Sequence, residues 1–115
     1  MKIKLKTETT FDAAHHLVGY DGDCQRIHGH TWRVIVWVEG DIKDCDSVGI
    51  LWDFKNLKSI LKDFDHHDLN KVLPINPTAE NILSWLLIKL KKDSPYLIFK
   101  IRVYESTKSY AEGEL

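Results

Sequence analysis

The run from His28 to Val38 commits this chain to a sheet. His28, His30, Trp32, Val34, Val36 and Val38 recur at every second position. Strand side chains alternate faces, so one face carries two imidazoles, an indole and three valines. Arg33, Ile35 and Trp37 take the opposite face, so a strand over 30–39 is expected to be central or covered on both sides. Gly29, between the two histidines, removes bulk from that opposite side.

Such a strand needs a partner and a cover. Over residues 2–11, Ile3, Leu5, Thr7, Thr9 and Phe11 alternate with Lys2, Lys4, Lys6, Glu8 and Thr10, which reads as a strand with one wetter face. Carried on through Ala13, that phase places His15 on the apolar face. Residues 17–27 and the polar stretch from Gly40 to Gly49 read as connections. Asp53 is suited to cap a helix whose Phe54, Leu57, Ile60, Leu61 and Phe64 follow at helical spacing. The segment 65–70 breaks that pattern and reads as a loop or short turn. A second helix begins near Asn76, Pro77 or Thr78, buries Ala79, Ile82, Leu83, Leu86 and Leu90, and stops at Ser94-Pro95. Residues 97–105 read as a third strand and 109–115 as a short fourth. The order strand, strand, helix, helix, strand, strand is that of an α+β fold, a four-stranded antiparallel sheet with two helices on one face. Such a sheet has two open edges, and a homo-oligomer joined edge to edge is expected.

With 115 residues the chain is expected to form one domain, 1–115. A chain of this size buries roughly 65 % of its unfolded surface. A net charge of −1 offers no basic field for nucleic acid. No apolar run approaches the roughly 20 residues of a membrane span. Two cysteines, Cys24 and Cys45, are not a disulfide framework, and the chain has no signal-like start. Both thiols are therefore expected to be reduced and the protein cytoplasmic.

The six histidines cluster as His15-His16, His28-Gly29-His30 and His66-His67. His28 and His30 on one strand face can clamp a metal ion, and neutral imidazoles suit zinc. His15 or His16 can supply a third nitrogen, leaving a coordination position open. The bland reading keeps His28 and His30 as hydrogen-bonded structural residues. Cys24 reads as a fourth zinc ligand, as a catalytic thiolate, or as an inert buried thiol. Asp65 and His66 can form a carboxylate–imidazole relay or a solvated polar loop. Glu105 ends an apolar strand face, where it either pairs with a cation or accepts two parallel N–H bonds from a planar ligand such as a pterin. Glu80 suits the first turn of a helix.

These positions together resemble the 6-pyruvoyl-tetrahydropterin synthase family. The resemblance runs through Phe11-Asp12-Ala13-Ala14-His15, Cys24-Gln25-Arg26-Ile27-His28-Gly29-His30, Trp52-Asp53-Phe54-Lys55-Asn56-Leu57-Lys58, Asp65-His66-His67-Asp68-Leu69-Asn70, Asn76-Pro77-Thr78-Ala79-Glu80-Asn81 and Val103-Tyr104-Glu105. It implies the tunnelling fold, in which sheets of several subunits join into barrels and barrels stack, usually as a hexamer (a dimer of trimers) with active sites between subunits. It implies zinc on His15, His28 and His30, Cys24 as the catalytic thiol with Asp65 and His66 completing the relay, and Glu105 as pterin anchor with Thr78 and Glu80 close by. The three residues between Cys24 and His28 are similar to the spacing in the 6-carboxy-tetrahydropterin synthases of the queuosine and archaeosine pathways. The implied substrate is 7,8-dihydroneopterin triphosphate, and the implied products are 6-carboxy-5,6,7,8-tetrahydropterin, acetaldehyde and triphosphate. A 6-pyruvoyl-tetrahydropterin synthase and a non-catalytic domain with a closed Cys24–His₃ zinc are the alternatives. His16 departs from the arginine or lysine common at that position.

Overall fold

The computed structural model describes residues 1–115. Two long strands form its spine: β1 (Lys2–His15) and β2 (His28–Asp41) pair antiparallel over their whole length, from Lys2 opposite Asp41 to His15 opposite His28. The alternating phase therefore runs unbroken to both histidines. β2 is longer at each end than residues 30–39. β4 (Ile98–Tyr104) pairs antiparallel with the other side of β2, and β5 (Tyr110–Glu114) with β4. A two-residue strand, β3 (His67–Asp68), pairs parallel with Ala13 and Ala14 of β1. The sheet thus has five strands in the order β3-β1-β2-β4-β5, not four, and is mixed at one edge.

Three helices replace the two expected. α1 (Lys55–Leu61) follows Asp53, whose Oδ1 accepts from the Lys55 N–H at 2.9 Å, so Asp53 stabilises the opening turn as its position suggests. Leu57, Leu61 and Phe64 are buried behind it, but Phe54 is 51 % exposed because it precedes the helix and faces out. α2 (Leu69–Val72) is a single turn capped by Asp68, whose side chain accepts from Asn70 N–H. The stretch read as loop thus holds a short strand running into a short helix, both below the length at which periodicity carries a signal. α3 (Ala79–Asp93) is capped by Thr78 and ends at Ser94.

The helices cover one sheet face. Phe11, Trp32, Val34, Val36, Val38, Phe99, Ile101 and Val103 meet Ile82, Leu86 and Leu90 of α3 in a cluster of 23 buried apolar residues. The aromatic rings of the far face, Trp37, Tyr104 and Tyr110, are covered by long cationic side chains instead of a second layer of helices. Lys100 lies 4.6 Å from the Trp37 ring centre, Arg33 4.8 Å from that of Tyr104, and Arg102 4.2 Å from that of Tyr110. Residues 2–11 of β1 have no partner on their outer side, and β5 forms the opposite edge.

The packing sets a stability contrast. Leu86→Ala, at a site 1 % exposed, should cost about 2–5 kcal/mol in denaturant unfolding. Ile88→Ala, two residues on and 60 % exposed, should stay within about 0.5 kcal/mol.

Candidate active site

The centre forms where β1 ends and β2 begins. His15 and His28 are direct cross-strand partners, and His30, directly opposite Ala13, lies diagonal to His15 on the same face. The three rings stand 4.5–5.1 Å apart, centre to centre, with His15 and His30 edge-on to Trp32. His15 is fully buried.

Main-chain carbonyls orient two of the rings. His15 Nδ1 donates to the Pro77 carbonyl and His28 Nδ1 to the Arg26 carbonyl, each at 2.7 Å. A carbonyl only accepts, so Nδ1 carries the proton and Nε2 keeps a bare lone pair. The Nε2 atoms of His15, His28 and His30 are all buried without a hydrogen-bond partner. Three orphaned nitrogens directed into one space are costly in a purely structural role, and they suit a divalent metal. Glu105 lies just past β4, its N–H bonded to Ser109, and its Oε1 is 3.3 Å from His30 Nε2. Donor atoms of all four residues fall within 4.8 Å of one another. Burial holds the His15 and His30 imidazoles below their ordinary value, with Glu105 opposing the effect. Both therefore stay neutral, as metal ligation requires.

Asp65 and His66 form a second group, with Asp12. Asp65 Oδ1 accepts from Asp12 N–H at 2.9 Å and its Oδ2 lies 3.0 Å from His66 Nδ1. The Asp12 N–H, and secondarily His66, hold the Asp65 carboxyl below its usual range. His66 has φ of 61°, the left-handed region that side chains other than glycine rarely adopt. Its N–H donates to the Asp12 carbonyl, which fixes this conformation. The ring is 78 % exposed. His66 and His30 both border a shallow hollow over Gly29 and Thr31. The pair thus lies near the histidine centre without entering it.

Cys24 belongs to neither group. It sits in a 3₁₀ turn, Asp23–Gln25, and its carbonyl accepts from Leu17 N–H, which ties the loop back beside His16. Within one chain no donor group unites Cys24 with Asp65 and His66. Cys24 and Cys45 are free thiols, as expected. Thr78 uses its hydroxyl to cap α3 through the Asn81 N–H, and Glu80 lies exposed in the first turn of that helix. Glu80 does not join the histidine group. Gly29 leaves open space on its side of the sheet, since an added Cβ would come no nearer than 4.0 Å to the Ala13 carbonyl.

The supports of the centre carry little signal in the sequence. Pro77 and Arg26 act through carbonyls, which carry no side-chain signal. Asn70 accepts from His16 N–H and donates to the His16 carbonyl, and Asn76 does the same for Val18. Their motifs, Asp-Leu-Asn and Asn-Pro-Thr, were the available clue.

Comparison with known proteins fits this geometry. The family model described as 6-pyruvoyl tetrahydropterin synthase matches residues 4–114. The chain belongs to the 6-pyruvoyl tetrahydropterin synthase family. It is 33 % identical to the 6-carboxy-5,6,7,8-tetrahydropterin synthase of Haemophilus influenzae, with 95 % of this chain and 96 % of that protein covered. It is 37 % identical to the dihydroneopterin monophosphate aldolase of Pyrococcus furiosus, covering 83 % and 81 %. The structure of Caenorhabditis elegans 6-pyruvoyl tetrahydropterin synthase superposes with a TM-score of 0.78 at 24 % identity, over all of this chain and 96 % of that one, which establishes the shared tunnelling fold. The chain is thus a lyase-type enzyme of this family, similar to 6-carboxy-tetrahydropterin synthases. No helix is long and apolar enough to cross a membrane.

The neutral histidines predict a pH dependence. As pH falls through the ordinary histidine value of 6.5, the unfolded chain takes up protons that the folded site refuses, so stability drops on the acid side. Thermal unfolding in chelator should give a lower Tm at about pH 5.5 than at about pH 7.5, and His15→Gln should flatten that slope.

Proposed function

We propose that this protein converts 7,8-dihydroneopterin triphosphate to 6-carboxy-5,6,7,8-tetrahydropterin, acetaldehyde and triphosphate, a step of 7-deazapurine (queuosine) synthesis in the cytoplasm. The observation that carries the reading is the set of three orphaned Nε2 atoms beside the Glu105 carboxylate. His15, His28 and His30 would hold zinc, which when bound supplies a Lewis acid that lowers the pKa of the substrate's side-chain hydroxyls.

Glu105 accepts the N–H donors on the 2-amino-4-oxo edge of the pterin. A ring anchored there presents its side chain to the histidine centre, because Glu105 adjoins His30. Thr78 and Glu80, at the start of α3, are assigned to the pterin pocket in this reading. Cys24 would move protons at the side-chain carbons as the thiol of the site. His66 exchanges protons with Cys24, and Asp65 holds its Nδ1–H and stabilises the imidazolium. Cys24 lies outside the group that holds Asp65 and His66 within one chain, and the relay we propose closes between subunits. The open edges of β1 and β5 provide the junctions, and a hexamer built as a dimer of trimers is the assembly we propose.

A second reading has one observation in its favour. The Pyrococcus furiosus relative is named an aldolase acting on dihydroneopterin monophosphate, and an aldolase also breaks a side-chain carbon–carbon bond. A 6-pyruvoyl product would require the same site with a different fate for the side chain. A closed Cys24–His₃ structural site fits less well, since Cys24 lies outside the histidine group.

Zinc-loaded protein given 7,8-dihydroneopterin triphosphate should yield a carboxy-pterin by mass spectrometry and trapped acetaldehyde. A pyruvoyl product, or turnover only of the monophosphate, would move the assignment to a rival. Cys24→Ala should fold, keep its zinc and lose at least about 100-fold in kcat, the scale of a missing acid–base group. Glu105→Gln should raise KM by about tenfold or more, the scale of a lost charged hydrogen bond.

A further inference from the structure

Most cations of this protein with an evident partner lie on the sheet or on α3. Lys2 pairs with Glu39, Arg33 and Lys6 with Glu8, Arg102 with Glu112 and Lys89 with Asp93, while Lys91 donates to the Leu97 carbonyl. Lys55, Lys58 and Lys62 have no carboxylate partner, yet they share one groove of about 480 Å³. Their spacing of three and four residues stacks them on one face of α1 and its last turn. Thr9 and Thr10 of β1 also line it, on the edge proposed above as a junction between subunits, and Ser59 adds a hydroxyl.

Asp65 also lines the groove. Its two oxygens are already engaged by Asp12 N–H and by His66. The groove therefore adjoins the acid–base pair, whichever subunit supplies the metal. Three ammonium groups of one sign on one helix face repel each other and destabilise the free protein slightly. An anion of several charges removes that repulsion and accepts hydrogen bonds from each ammonium and from the neighbouring hydroxyls.

We propose that the Lys55–Lys58–Lys62 groove is the binding site for the triphosphate of the substrate. The assignment rests on the pterin-triphosphate reading and adds to it the end of the substrate that the histidine centre and Glu105 leave unheld. A substrate held by its pterin at Glu105 and by its triphosphate at these lysines has its side chain drawn across the acid–base pair. A single phosphate would engage at most part of this row, so the site also favours a triphosphate over a monophosphate.

Calorimetry on zinc-loaded protein tests this with inorganic tripolyphosphate, orthophosphate and neopterin as probes. One variant is K55Q/K58Q/K62Q. A control of equal charge change is K4Q/K43Q/K108Q, remote in sequence from the groove, and K58Q alone serves if the triple variant fails to fold. Tripolyphosphate should bind wild type more tightly than orthophosphate. The groove variant should lose about tenfold or more of that affinity, while the control keeps it and both bind neopterin as wild type does. KM for the triphosphate substrate should rise in the groove variant with zinc content unchanged. Equal weakening in the two triple variants, no weakening in the groove variant, or orthophosphate binding as tightly as tripolyphosphate would overturn the site. Failure of the pterin reading shows separately, as absent neopterin binding alongside lysine-dependent tripolyphosphate binding.

Discussion

Two hydrogen bonds of 2.7 Å, from His15 Nδ1 to the Pro77 carbonyl and from His28 Nδ1 to the Arg26 carbonyl, are what the rest of the site depends on. They select the tautomer, aim the lone pairs and make Nε2 the ligating atom. Without them a neutral imidazole can present either nitrogen, and the centre has no defined shape. Both acceptors are main-chain atoms outside the long strands, so the loop before β2 and the turn before α3 must be held in place. Asn70 and Asn76 do this with paired bonds to His16 and Val18, and Leu17 with its bond to the Cys24 carbonyl.

The sheet provides the other half of the geometry. β1 and β2 keep register over 14 residues each, so the face that buries Phe11, Trp32 and Val34 is the face on which His15, His28 and His30 emerge. A one-residue slip would send the histidines to opposite sides. Core packing and site construction are thus one constraint. The same core explains why His15 and His30 remain neutral, since burial beside Trp32 disfavours their charged forms.

Strand phase was legible because it is a local rule applied over a long run. The shared face of His28 and His30 follows from alternation, which allows His15 without excluding His16 (the family resemblance selects His15), and the end of α3 follows from Ser94-Pro95. β3 and α2 were not legible, because two residues and one turn are too short to show a period, and their pairing with Ala13 and Ala14 is set by distant chain. Phe54 was misread because its helical spacing extends the stripe past the true start of α1. Glu105 stood out as a carboxylate on an apolar face, but its proximity to His30 depends on the β2–β4 register, which no local pattern states. The supports from Pro77 and Arg26 had no side-chain signature.

X-ray absorption at the zinc edge of the loaded protein decides whether three imidazoles hold the metal and leave Cys24 free for chemistry. The expected spectrum has nitrogen and oxygen at about 2.0–2.2 Å with the multiple-scattering pattern of imidazole, and no sulfur. A sulfur scatterer at about 2.3 Å would put Cys24 on the metal and overturn that assignment.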